Sequence, residues 1–131
     1  MHSEFRWKQR FQNYQKSLNE LKTALEKDEY SLLEQAGVIQ LFEVSFELAW
    51  KTLKDLLYYE GFEVKSPRDS ITAAFENNII SNPEIWLEAL MGRNKFSHTY
   101  DRKLAADSVR LIKEKYAPLF FELEDILKTR L

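Results

Sequence analysis

Six residues near the start of the chain, Trp7, Phe11, Tyr14, Leu18, Leu21 and Leu25, are spaced 4-3-4-3-4. An α-helix is the regular backbone that this rhythm fits. At 3.6 residues per turn it stacks all six side chains on one stripe, the narrow seam by which one helix packs along another. Punctuation elsewhere is sparse, with three glycines and three prolines in 131 residues. Each break that does occur therefore carries weight.

The pattern fails at "KDEY", and Ser31 followed by Glu34 has the spacing of a capping box that opens a second helix. This helix runs to Tyr59, and Gly61 stops it. It is apolar over most of its circumference. Ile39, Phe42, Phe46, Trp50 and Leu53 occupy one flank, and Leu41, Val44, Leu48 and Leu56 occupy others, which marks a helix that is central or covered by a partner. Its polar remainder is a stripe of Glu43, Glu47, Lys51 and Lys54, readable as solvated i,i+4 pairs.

Two shorter helices each open with a cap residue and a proline: Ser66 with Pro67, and Asn82 with Pro83. A final long helix carries Ala105, Val109, Ile112, Tyr116, Leu119, Leu123 and Leu127 on one face, with Pro118 expected to bend it. The predicted helices are 4–27, 32–60, 67–77, 83–97 and 101–130. No stretch alternates with period two for long enough to be a strand. The expected fold is all-α, an antiparallel up-and-down bundle of about five helices in a single domain spanning 1–131.

Charge narrows the function classes. Nineteen basic residues against 21 acidic ones give a net charge of −2, too even for a protein that wraps a long nucleic acid, though a local basic site stays open. The chain has no cysteine, so thiolate metal sites and Cys nucleophiles are excluded. The start, "MHSEFRWKQR", is too charged for a signal peptide, and no apolar run approaches the ~20 residues of a membrane span. A soluble, cytoplasmic protein is expected. Carboxylates do not cluster with histidines at metal-ligand spacing and no Gly-rich phosphate loop occurs, so no metal or nucleotide cofactor is expected on this chain alone.

The chemistry concentrates in "MGRNKFSHTYD", residues 91–101. One reading is a helix end, where Arg and His answer the dipole and the open carbonyls. The other is a site. Arg93 supplies a permanent forked cation for phosphate, and His98 is the one centrally placed group that titrates near neutrality. On an unbroken helix the two would lie about 140° apart. Convergence therefore needs the helix to end or unwind between them, a break that Gly92 and Ser97-His98-Thr99 favour.

Arg93, His98 and Tyr100 also match an R-x4-H-x-Y string. With "FEVSFELAWKTLKDLL", the Gly61 stop and "SPRDSITAAFENNII" in the same order, most of the chain resembles the nucleotidyltransferase substrate-binding proteins, a branch of the helical HEPN superfamily. The resemblance implies a partner: a separately encoded minimal nucleotidyltransferase, which would hold the ATP and Mg. It implies Arg93 and His98 as a catalytic pair for metal-independent RNA cleavage, Asn94 as a positioning group, and Tyr100 as an acceptor of AMP. It also implies a homodimer in a toxin–antitoxin type of pair, with RNA as a further partner. Glu43 or Glu47 is expected to support the cleft by orienting Arg93 or raising the pKa of His98. Two alternatives stand beside the transferase-partner reading: an active endoribonuclease toxin, and a non-catalytic helical interaction module.

Overall fold

The computed structural model describes residues 2–96 and 102–131. The helices are α1 (His2–Ala24), α2 (Leu32–Tyr59), α3 (Pro67–Glu76) and α4 (Pro83–Phe96), then α5 (Arg102–Leu111), a π turn (Ile112–Tyr116) and α6 (Ala117–Lys128) in one continuous run. Counting that run once, there are five helices and no strand among the described residues. The all-α expectation holds, with boundaries within a few residues of those predicted.

The helix ends show why the sequence divides here. Ser31 Oγ accepts from the Glu34 N–H at 3.1 Å while the Glu34 carboxylate accepts from the Ser31 N–H at 2.8 Å, a closed capping box. Lys27 holds the same carboxylate from across the loop. This cation, with the Ser31 backbone, lowers the Glu34 pKa to about 2. Ser66 caps α3 by accepting from the Asp69 N–H at 3.0 Å, with Pro67 in the first turn. At the other end of α2, Gly61 takes φ 97°. Its N–H reaches Tyr58 O at 3.0 Å and the next N–H, of Phe62, reaches Leu57 O at 2.8 Å, the paired bonds of a Schellman stop. α3 ends the same way on Asn78 (φ 61°), with the Ile79 N–H donating to Ala74 O at 2.8 Å. Asn replaces Gly there because its short polar side chain tolerates the left-handed region.

α1 and α2 lie antiparallel, as three cross-links show. Arg10 meets Asp55 at 3.0 Å, Ser17 shares a hydrogen bond with Ser45 at 2.7 Å, and Lys27 meets Glu34. The α1 seam is the core side: Trp7, Phe11, Tyr14, Leu18 and Leu21 are all buried. Phe42 of α2 is the hub of the aromatic interior. It stacks on Phe120 at 5.7 Å and on Tyr116 at 5.6 Å, and meets Phe96 at 5.7 Å. Tyr14 reaches across to donate to Phe120 O at 2.8 Å, so its buried hydroxyl is satisfied.

The bend expected at Pro118 takes a different form. Pro118 has no N–H for the carbonyl of Glu114, and its ring crowds the preceding turn. The chain widens just before it, and the Ala117 N–H bonds Ile112 O, five residues back. The widened turn places Tyr116 to donate to Glu88 of α4 at 2.7 Å, while Lys115 pairs with the same carboxylate at 2.8 Å. Lys115 and the Tyr116 hydroxyl lower the Glu88 pKa; burial, followed by Glu88, raises that of Tyr116. α4 is thereby braced along its length, and its C-terminal turn is brought against α2.

Candidate functional site

Arg93 lies in the last described turn of α4, and the segment that follows it, 97–101, is outside the described residues. The expected positions of His98 and Tyr100, and the predicted break between Arg93 and His98, fall there. What the structure describes is the Arg93 half of the site.

α4 passes through Gly92 without a break, as the predicted helix 83–97 requires. The helix runs on to Phe96, and the glycine serves packing. A Cβ at Gly92 would lie 3.1 Å from Phe96 Cζ and 3.2 Å from Cε2. The bare backbone lets the Phe96 ring fold beneath the helix and reach Phe42. That contact sets the height and rotation of the turn carrying Arg93.

The guanidinium then points at α2. Arg93 Nη2 forms an ion pair with Glu47 Oε1, and Nη1 donates to Asn94 Oδ1 at 3.4 Å. Glu47 is held from its own side as well. The indole of Trp50 donates to Oε2 at 3.1 Å, and Lys51 Nζ lies 3.6 Å from the same oxygen and over the Trp50 ring. A carboxylate with one oxygen on an indole and the other on a guanidinium has little freedom to swing. Its i,i+4 partnership with Lys51, read in the sequence as a solvated pair, exists but is the looser of its two ion pairs. Glu43 stands one turn away and lines the same open groove, of about 340 Å³, with Gln40, Val44, Leu48, Glu47 and Arg93.

Arg93, Asn94, Glu43 and Glu47 are therefore brought to one face. Trp50 is the residue that sequence reasoning placed only in the core. Its signal was the three-residue step from Glu47, which puts both on one side of α2. Among the described residues no group of three His, Cys, Asp or Glu side chains is placed to hold a metal ion. No described helix is long and apolar enough to cross a membrane.

The sequence profile of one family, described as nucleotidyltransferase substrate binding protein like, matches residues 9–129. The chain belongs to that family. The span matched takes in Glu43, Glu47 and Arg93 and all but the outermost residues of the bundle. A crystal structure of a protein from Thermus thermophilus is similar to this member of the substrate-binding-protein-like family at 29% identity and a TM-score of 0.76, covering 89% of this chain and 97% of that one. No curated protein matches it.

Proposed function

We propose that this chain is the helical, substrate-presenting half of a two-component nucleotidyltransferase, working in the cytoplasm beside a separately encoded minimal transferase that brings ATP and Mg. The observation that supports this most is the way Arg93 is held. Glu47 and Asn94 steady its guanidinium immediately ahead of the segment that carries His98 and Tyr100. Tyr100 is the acceptor in this reading. Its phenolic oxygen bonds the α-phosphorus of ATP, its proton passes to a base on the transferase or to His98, and pyrophosphate leaves. The phenol needs that base, because its ordinary pKa near ~10 keeps it protonated at neutral pH. The AMP phosphate then gains Arg93 as a charge-assisted partner.

The groove beside Arg93 favours a second, compatible reading as a HEPN-type endoribonuclease. There His98 removes a 2′-hydroxyl proton and Arg93 stabilises the charge on the phosphorane, and AMP on Tyr100 blocks RNA from the cleft. In that case the transferase is the antitoxin. The assembly we propose is a homodimer through the outer face of α2. Leu33 is 82% exposed and Val44 38% there, and a Cβ built on Gly37 would meet nothing within 4 Å beyond its adjoining residues and the nearby backbone of its own helix. A glycine costs a helix about 1 kcal/mol against alanine, and nothing within the protomer demands this one.

Co-expression with the cognate transferase tests the assignment by intact mass. One adenylyl group is expected on the wild type and none on Tyr100→Phe; equal modification of both would remove Tyr100 from its role. Growth arrest by the unmodified chain, abolished by His98→Ala, is the expected sign of the nuclease.

A further inference from the structure

The end of the bundle where α1 begins and α2 stops carries features that the Arg93 groove does not account for. Four aromatic side chains are exposed there: Phe5 at 67%, Tyr58 at 56%, Tyr59 at 45% and Phe62 at 44%. Beside them is a hollow of about 440 Å³, with Arg6 from α1, Lys54 and Tyr58 from α2, and Lys65 from the loop before α3 in its wall. Arg6, Lys54 and Lys65 make no ion pair among the described residues. The carboxylates around them are mostly committed: Asp55 to Arg10 at 3.0 Å, Glu4 to Lys8 at 2.8 Å and Glu60 to Arg130 at 2.8 Å. Only Glu63 in the wall has no such cation. A chain of net charge −2 thus keeps a local excess of positive charge beside exposed rings.

We infer that this end of the bundle binds single-stranded nucleic acid, with Tyr58 as a stacking surface for a base and Arg6, Lys54 and Lys65 holding the phosphates that flank it. Exposed aromatics stack bases of any identity, and cations spaced around them follow the backbone. A protein docking surface of this kind is ordinarily depleted in lysine, whereas two of the three unpaired cations here are lysines. A duplex fits poorly, because its bases are already stacked and have no face for Tyr58. The site lies along α2 from the Arg93 groove. Lys54 is seven residues beyond Glu47, two helical turns and about 10 Å further on nearly the same face. It does not depend on nucleotidyl transfer or cleavage at Arg93.

Fluorescence anisotropy of a labelled, structureless oligoribonucleotide on the full chain tests this, with the same strand in a duplex and a mononucleotide as comparisons. Single-strand binding is expected to fall with salt at a log–log slope of about −2, from three phosphate contacts at ~0.7 each. Tyr58→Ala should weaken it about tenfold, the scale of one lost stack, and Tyr58→Phe should restore it. Lys54→Ala with Lys65→Ala should flatten the slope by about 1.4. All four side chains reach solvent, and unchanged thermal melts of the variants would confirm that folding is not the cause. Equal binding of duplex and single strand would overturn the inference, as would weakening by Arg93→Ala and not by the hollow variants. If the hollow variants lose the transferase while RNA binding is unchanged, the surface is a protein dock and the inference fails.

Discussion

Glu47 shows how a residue with a bland pattern can be the fulcrum of a site. Its spacing to Lys51 made a surface pair the natural reading, and that pair is present at 3.6 Å. The sequence offered Glu43 or Glu47 as the carboxylate that orients Arg93 without choosing between them, because Arg93 and Glu47 meet only once Phe96 has seated α4 on Phe42. Arg93 itself was legible from its string with His98 and Tyr100. Its geometry depended on Gly92, which reads as a helix breaker in the sequence and acts as a packing gap. A double-mutant cycle on Glu47→Gln and Arg93→Gln, followed by urea unfolding, should give a coupling of about 1 kcal/mol. Both side chains are about a third exposed or less, and water screens the pair. A coupling indistinguishable from zero would mean that Glu47 does not orient the guanidinium.

At the scale of the element, the opening signals were far more readable than the closing ones. Ser31 with Glu34 and Ser66 with Pro67 announce α2 and α3 because caps act through side chains that are specific to type. The α3 stop was placed at 77, one residue beyond its end at Glu76, but its signal went unread: "ENNII" contains no glycine, and the left-handed residue is Asn78. Asn78→Gly should leave stability unchanged or raise it slightly, whereas Asn78→Ala should cost about 1 kcal/mol by thermal unfolding, since a Cβ is strained at that φ. The capping box also has a pH signature. Lys27 and the Ser31 backbone hold the folded Glu34 pKa near 2, below its unfolded value of 4.5. Its contribution is therefore complete above pH 4.5 and is lost as pH falls toward about 2. Glu34→Gln should flatten the stability profile in that window and leave it unchanged at neutral pH apart from a constant offset. The group is exposed, so salt should shrink the effect. A slope in that window equal to that of the wild type would place the acid sensitivity elsewhere.

At the scale of the molecule, the seam of α1 and the all-round apolarity of α2 were enough to set the class of fold, because a helix with several apolar flanks demands neighbours on several sides. The tertiary answer covers most of them: Leu53 and Leu56 are buried, and Leu41 and Leu48 are partly so. Leu33 and Val44 remain outside, and they support the proposed dimer. Val44→Glu should give a monomer in light scattering where the wild type gives twice that mass, since ~800 Å² per partner is needed for a stable association. A wild-type monomer at micromolar concentration would remove the proposal. The π turn before Pro118 was not legible, because one extra residue in a turn leaves the apolar spacing of Ile112, Tyr116, Leu119 and Leu123 looking nearly regular. That turn makes the chain here more forgiving of a lost residue than a regular helix is. Five residues of a π turn sweep about the angle that four sweep in an α-helix. Deleting exposed Glu114 would therefore let the turn relax to an ordinary α-helix and leave Phe120, Leu123 and Leu127 facing the core, at the cost of pressing the Pro118 ring on the turn before it. Deleting Glu122 from the regular helix α6 would instead rotate Leu123 and Leu127 by about 100° toward water, at about 1.5–3 kcal/mol each. The expected outcome is a folded protein of lower melting temperature from the first deletion and an unfolded one from the second, read by circular dichroism. Relatives that keep this bundle should therefore gain or lose a residue at this turn more readily than in the helices on either side.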